Sequence, residues 1–486
     1  MRKRLFERFP RLPSVITWLI FALGVILRWF HVTTWHDPRK YVYSDMAMYV
    51  GLAKRLAKPG YVVTIGDITH PPGNTWLLMF FWNRDPSFQQ LVYFNFAVCA
   101  LLPLAVGALG WITLGKRTGQ GALAVASLYF GFIDYGGYFL AEIHIALIAT
   151  LTFVVYLAAM KLADREPTRR RTAGLIALAA LAGFLFSVAM ALKMVAMPAV
   201  LGFCALHLLF SRTPKIGSRI LVLAVFLAAS APLTTKLVHR CTVANDGHFC
   251  TGSNKSAADF LLGHYGRIEG VEWRDPAVPG VVAFGSPAAY QHGYRERKVV
   301  PFLITNQKKN AEYAWKWVGE HPGDALVLSI EHVWDCFGGS YPWPANSTGL
   351  WPGSYASHYA FLFFIIFPAM VLLVETLRKR GVMGLLRSVE LLVFSPVIGV
   401  CVAVFVASGE VRYRIPWDGV FIVLAVELYR QTTFRFGEPA PTLASVPVVV
   451  AAPDPAAEPG PAAPEPTQEP VPAIGAAEDP VAPEIR

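Results

Sequence analysis

The stretch YSDMAMYVGLAKRLAKPG (43–60) sets one carboxylate, Asp45, ahead of three cations, Lys54, Arg55 and Lys58, just after the first long apolar run. A carboxylate within hydrogen-bond reach of a reacting hydroxyl acts as a general base. Lysine and arginine stabilise an anionic leaving group, lysine as a point charge and arginine in bidentate fashion. The same residue types recur at the ends of later apolar runs. Asp134 and Glu142 bracket the hairpin DYGGYFLAEIH, Lys193 interrupts LAGFLFSVAMALKMVAMPAV, and Arg412 and Arg414 stand in SGEVRYR. His70, in THPPG, adds an imidazole. Together these groups suit proton removal beside a bound phosphate. Each also has a plainer reading. Asp45 serves as a first-turn acid at a helix N-terminus, and Asp134 and Glu142 as structural acids. The first-loop cations form a solvated face or touch anionic lipid. His70 is a loop histidine, and Arg412 and Arg414 anchor the last span at the interface.

These residues need elements that carry them to one surface, and the composition says which. The 486 residues are 54% hydrophobic and only 16% charged, well under the roughly 25% charge of soluble domains. Apolar runs approach the ~20 residues that a helix needs to cross a bilayer, and the strict alternation of a membrane barrel is missing. The sequence predicts an all-α polytopic membrane protein with about ten spans. They are placed near Val15–Phe30, Phe88–Leu114, Ala122–Tyr138, Ile143–Met160, Ala173–Met190, Met194–Phe210, Ile220–Val238, Tyr359–Leu377, Val389–Ala407 and Trp417–Tyr429. The short loops MRKRLFERFPR, GKR, KLADREPTRRR, SRTPKIGSR and ETLRKRGVMGLLR are rich in Lys and Arg and fall on one side, which the positive-inside rule makes cytoplasmic. Asp45, Asp134, Glu142, Lys193 and Arg412 are then outside. The first run reads as an uncleaved span, since it lacks a small-residue cleavage site.

Within the first outer loop, Asp45, Tyr49, Leu52 and Leu56 share a helical stripe, with Lys54 and Lys58 on another face. Pro71 and Pro72 forbid a regular helix there, and Trp76–Trp82 is too short to span, so it reads as an interfacial segment. Acids near span ends cost solvation energy unless paired or used, which makes the outer carboxylates functional candidates. Cys241 and Cys250 lie outside, where an oxidising compartment permits a local disulfide; Cys99, Cys204 and Cys401 sit in spans as small hydrophobes. No CxxC or HExxH zinc pattern appears and no metal ligands are singled out. Positive charge spread along one membrane face excludes nucleic acid as a partner. From Gly437 to Arg486 the chain carries eight acids, one Arg and 13 of its 36 prolines; such a segment buries no core and reads as a disordered cytoplasmic tail. The expected organisation is a membrane module (1–238) with a catalytic first outer loop (33–87), an extracytoplasmic segment (239–357), C-terminal spans (358–430) and the tail (431–486).

The order of these motifs resembles the polytopic C-type glycosyltransferases that use lipid-linked sugars, above all the protein-mannosyltransferase and aminoarabinose-transferase-like superfamily. The resemblance is carried by YSDMAMYVGLAKRLAKPG, then HPPG, FLAEIHIAL, the basic break in LAGFLFSVAMALKMVAMPAV, EHPGDALVLSIEHVWDCFG and GEVRYRIPWDGVFIVLAV. It covers most of residues 15–430. It implies transfer of a sugar from a polyprenyl-phosphate donor to an acceptor glycan, lipid or protein at the outer face, with inversion. Asp45, Glu142 and Asp134 are then the catalytic candidates, with Asp45 the base by family position. Lys54, Arg55, His70, Lys193, Arg412 and Arg414 are the donor-phosphate candidates. No cofactor is implied, with a divalent cation left open, and the surrounding partners are membrane lipids. The expected location is a bacterial inner or plasma membrane, with both termini cytoplasmic. Many relatives carry a second acid in the first loop, where Met46 stands here, and the 239–357 segment matches no named pattern. Two other classes therefore stay open: a transporter or flippase for a lipid-linked or anionic solute, and an inactive relative that binds lipid-linked sugar. A transporter should carry its ionisable groups at mid-membrane on broken helices in repeated halves, and the span interiors here are nearly free of charge.

Overall fold

Apolar runs without strong breakers fold as helices, because in hydrocarbon every backbone N–H and C=O must be satisfied within its own segment. The computed structural model describes residues 12–211, 213–265, 270–276, 282–285, 298–339, 343–344 and 348–433. Among the described residues seven helices are long and apolar enough to cross a membrane: Ser14–Lys40, Gln89–Leu114, Glu142–Ala163, Arg169–Leu192, Ile216–Ala244, Pro352–Leu386 and Val389–Val406. The chain is an all-α polytopic membrane protein.

Three of the expected spans fold as helices too short to cross a bilayer by themselves. Lys116–Leu128 has 13 residues, Ala196–Phe210 has 15 and Asp418–Thr433 has 16. At 1.5 Å per residue each falls short of the ~30 Å hydrocarbon core. The first is cut by Tyr129, whose backbone is extended (ψ 113°). A helix that ends inside a membrane leaves carbonyls without donors. Here Arg28, fully buried on the first helix, supplies them: its guanidinium donates to the carbonyl oxygens of Ala126 (2.9 Å), Ser127 and Gly24 (3.0 Å). The second short helix is parted from Arg169–Leu192 by Lys193, which is extended (φ −161°, ψ 127°). The third continues directly from a short helix, Val411–Arg414, and a 3-10 turn, Ile415–Trp417.

The loops at one end of this bundle fold onto it. In the first, helix Asp45–Leu56 is followed by helix Gly73–Trp82, the expected interfacial segment. A Cβ at Gly73 would lie 2.6 Å from the Ala191 carbonyl, so the second helix abuts the end of Arg169–Leu192 just before Lys193. Asn74 Nδ2 donates to the Phe139 carbonyl (3.2 Å), tying the same helix to the hairpin before Glu142.

The 239–357 segment holds helices Ser256–Gly263, Gln307–Glu320 and Pro322–Trp334 around a small core of Leu261, Val271, Trp273, Val300 and Phe302. It also contains a three-stranded sheet, which the helical sequence reading lacked. Strand Gly270–Trp273 pairs antiparallel with Val282–Gly285 and parallel with Lys298–Val300. Gly263 and Gly409 allow close approach here: a Cβ on either would collide with the Ala407 or His332 carbonyl, respectively. The segment is thereby pressed onto the strip that leads to Arg412. Cys241 and Cys250 form a disulfide with Cα atoms 5.4 Å apart, packed against Ile68. Helix Asp418–Thr433 runs three residues into the stretch expected to begin the tail. The sequence holds two N-x-S/T sequons, at Asn254 and Asn346; Asn254 is buried, and Asn346 lies outside the described residues, as do tail residues 434–486.

Candidate active site

Helix Asp45–Leu56 buries Asp45, Met46, Tyr49, Val50, Leu52 and Ala53 and exposes Lys54 and Arg55. Of the stripe that the spacing predicted, Asp45, Tyr49 and Leu52 are buried and Leu56 is half-buried. Asp45 is the first helical residue, and Ser44 before it is held at φ 48°, a region that non-glycine residues rarely occupy. The Ser44 hydroxyl caps nothing. The Asp45 carboxylate accepts instead from Arg412, Nη1 to Oδ2 at 2.7 Å, across 367 positions of sequence. Glu410 Oε2 sits 2.6 Å from Arg412 Nε, but Nε has no hydrogen bond of good geometry, so this second contact is one of charge. Burial alone would raise the Asp45 carboxyl; Arg412 first, then His70 and Lys255, hold it far below the usual carboxylate range. Burial likewise opposes the charge on Arg412, and Glu410, Tyr413 and Asp45 more than restore it.

A second pair stands beside the first. Glu142 opens helix Glu142–Ala163, where the helix dipole favours an acid, and its Oε1 accepts from Lys193 Nζ at 2.7 Å. Lys193 also lies over the Tyr413 ring, 4.3 Å from its centroid. Its ammonium is pulled down by burial, with Glu142 opposing and Arg412 adding to the fall. Glu142 in turn stabilises the charge on Arg412, so the two pairs form one charge network. Tyr49 links it to His70, with the hydroxyl 3.5 Å from Nδ1. His70 is half-buried, its Nε2 has no hydrogen-bond partner among the described residues, and desolvation followed by Lys255 pushes it down to about 3. The result is a neutral imidazole with one open nitrogen beside two ion pairs. Such a site can exchange a carboxylate for a phosphate at each cation and hold a hydroxyl near the freed carboxylate.

Of the nine residues singled out from sequence, five gather here: Asp45, Glu142, His70, Lys193 and Arg412. The other four are engaged elsewhere. Arg414, fully buried, donates to Asp418 (Nε to Oδ1, 2.8 Å) and to the Phe337 carbonyl (3.1 Å), and Tyr129 donates to the same Asp418 (2.6 Å). It ties the last helix to the broken third span. Arg55 donates to Asp67 (2.9 Å) and Tyr61 (3.2 Å), and Lys54 rests over the Trp82 ring (4.5 Å); both cations face away from Asp45. Asp134 accepts from Ser354 (2.8 Å) and stands 3.9 Å from His31, in a separate buried group with His36 and Tyr138. Sequence reasoning also missed four neighbours. Glu410 was legible as the acid two residues before Arg412. Tyr413, Lys255 and Trp343, whose ring lies 4.5 Å from the Arg412 guanidinium, carried no local signal.

No family model matches the chain, and no curated relative matches it. Solved structures do match. The archaeal oligosaccharyltransferase AglB from Archaeoglobus fulgidus, in complex with an inhibitory peptide and a dolichol-phosphate, is 13% identical, with a TM-score of 0.48 over 89% of this chain and 51% of that one. The apo form of the Archaeoglobus fulgidus oligosaccharyltransferase is 14% identical, with a TM-score of 0.48 over 87% and 52%. ArnT from Cupriavidus metallidurans in the apo state is 13% identical, with a TM-score of 0.38 over 83% and 77%. The chain spans about half the length of the oligosaccharyltransferase structures it matches.

Proposed function

We propose that the protein is an integral membrane glycosyltransferase that moves a sugar from a polyprenyl-phosphate donor to an acceptor hydroxyl at the outer membrane face, with inversion. Both termini lie on the cytoplasmic side of a bacterial inner or plasma membrane. The observation that carries this reading is the buried Asp45–Arg412 pair at 2.7 Å, set beside Glu142–Lys193. Two cations next to two carboxylates, on loops at one end of the bundle, are what phosphate departure and hydroxyl deprotonation require.

Arg412 and Lys193 bind the donor phosphate. The acceptor oxygen attacks the anomeric carbon from the face opposite that phosphate. As the new C–O bond forms, the bond from the anomeric carbon to the phosphate oxygen breaks, and its electron pair leaves with the phosphate. Asp45 takes the acceptor proton. While Arg412 holds it, Asp45 is a weak base; a phosphate on Arg412 draws that guanidinium away and raises the carboxylate's basicity just as the donor is in place. His70 Nε2 is free to orient the acceptor or the sugar. Arg414, Lys54, Arg55 and Asp134 have no part in this chemistry; their partners give them structural roles.

The test is turnover of labelled polyprenyl-phosphate sugars by the purified protein, with Asp45→Asn alongside at matched melting temperature. The amide keeps size and hydrogen bonding but is no base. Sugar release or transfer should fall by about 10²–10⁴-fold. Turnover near wild type in the variant removes Asp45 from the mechanism.

A further inference from the structure

Helix Ile216–Ala244 is the least covered of the seven long helices, with only 22% of its apolar stretch buried. Near its end it carries two cations one helical turn apart, Lys236 and Arg240, and so on one face. Val243, three residues on, shares that face and is 62% exposed. Lys236 Nζ lies over the ring of Trp76, on helix Gly73–Trp82, 5.8 Å from its centroid. Arg240 stands where the helix meets the 3-10 turn Ile65–Ile68 of the first loop, since the neighbouring Cys241 and its disulfide pack on Ile68 and Ile65. Arg240 Nη1 and Nη2 are shut off from solvent, and neither has a hydrogen-bond partner among the described residues. The acid of the turn, Asp67, is fully engaged. Its Oδ1 accepts from Arg55 (2.9 Å), and its Oδ2 from the Tyr61 hydroxyl (2.7 Å) and from the Thr64 N–H (2.9 Å) and hydroxyl (2.8 Å). A guanidinium with two sealed and unsatisfied nitrogens is costly to keep unless an anion takes them.

We propose that Arg240, with Lys236, binds the phosphate of a membrane phospholipid at the end of the bundle that carries the first loop. Nη1 and Nη2 form a planar fork that matches two phosphate oxygens, and Lys236, one turn away, adds a point charge on the same face. Free phosphate has the same chemistry, but the surroundings favour the lipid. The helix is open to acyl chains along most of its length. Val243 on the cationic face and Phe249 just beyond it (77% exposed) offer apolar surface, and Trp76 is the kind of ring that settles at headgroup level. The site shares no residue with the Asp45–Arg412 and Glu142–Lys193 pairs, so this lipid is not the sugar donor. Its headgroup fills the corner between helix Ile216–Ala244 and the turn Ile65–Ile68, and gives Arg240 the acceptor that Asp67 does not.

The probe is dioleoyl phosphatidylglycerol, added to the full-length protein in nonionic detergent micelles. Dioleoylglycerol, with the same chains and no phosphate, is the control, and retained lipid is read by native mass spectrometry. Wild type should prefer the phospholipid by about ten-fold or more, as expected for hydrogen bonds to a charged group. Arg240→Gln should lose most of that preference. Lys236→Gln, at an exposed position, should lower it about five-fold. Because the first change removes an unpaired charge, Arg240→Gln should melt no lower than wild type in lipid-free micelles. A variant that melts well below wild type there and keeps the preference shows Arg240 to be structural, and the proposal fails. It also fails if millimolar inorganic phosphate abolishes the preference, because the ligand is then a free anion. Farnesyl phosphate, a short analogue of the proposed donor, should bind Arg240→Gln as it binds wild type. If Arg412→Ala removes the phospholipid preference and Arg240→Gln does not, the lipid occupies the catalytic site, and this proposal falls while that site stands.

Discussion

Arg412 is where the opposing charges of the site meet, and its removal has a pH signature. In the intact protein the Asp45 carboxyl is held below its ordinary value, which is about 3.9 in an unfolded chain. The stabilisation from this pair is therefore present above about pH 4 and is lost only as pH falls through the depressed value. In Arg412→Gln, burial is left to dominate, and the carboxyl rises above its unfolded value. Ionised Asp45 then opposes folding at neutral pH, and protonation relieves it as pH falls through the raised value. Breaking a buried pair costs about 3–5 kcal/mol. The melting temperature of Arg412→Gln should lie furthest below wild type near pH 7–8 and approach it as pH is lowered to about 5. A gap that stays constant with pH would mean that Arg412 contributes packing and not charge.

At the level of elements, the break in the third span places the strip that carries Arg412. Arg28 satisfies the carbonyls that the break exposes. The extended Tyr129 then donates its hydroxyl to Asp418, and Asp418 holds Arg414, two residues from Arg412. Arg28→Met keeps the length and apolar stem of the side chain but leaves two carbonyls in hydrocarbon without donors, at about 1–3 kcal/mol each. The melting temperature should drop, and farnesyl phosphate binding should weaken even at temperatures where the variant is folded, because the Arg412 strip loses its support. Tyr129→Phe removes one hydrogen bond and should cost only about 1 kcal/mol. An Arg28→Met protein as stable as wild type would show that the break is held by packing alone.

For the whole molecule, the reading requires that the site face outward. Asp45, Glu142, Lys193 and Arg412 are buried or nearly so, which makes them poor reporters of sidedness. Exposed positions on the same loops serve better. In a background without free thiols, Lys58→Cys should react with a membrane-impermeant maleimide in intact cells, and Arg170→Cys only after permeabilisation. The opposite pattern would turn the protein over and place the site in the cytoplasm. The charged groups of the site gather on loops and helix ends, away from the interiors of the long helices. A solute path would instead place them at mid-membrane, so the arrangement favours transfer at a surface over transport.

The class of the protein and a helical stripe in the first loop were legible in the sequence, which also carries an expectation of sidedness. Hydropathy, loop charge and helical spacing are local properties that a linear chain displays directly. Asp45, Glu142, Lys193 and Arg412 stood out for a related reason: a charge at a span end is expensive wherever the span packs. Which charges meet was decided by tertiary structure alone. Arg412 and Arg414 are two residues apart in a helix and so face different ways, but nothing local says which of them faces Asp45 and which faces Asp418. Lys54 and Arg55 were credible partners for Asp45 by proximity, yet the helix that buries Asp45 turns them to Trp82 and Asp67. Asp134 and Glu142 close one hairpin, and the packing of the first helix and of Ser354 draws Asp134 into a different group. Lys255 carried no local signal because the turn before it is placed by two hydrogen bonds from Asn254, one from its backbone N–H to Ile68 and one from its side-chain amide to Ile65, in a loop nearly 190 positions earlier. Local patterns state the cost of a charge; only the fold supplies the partner that offsets it.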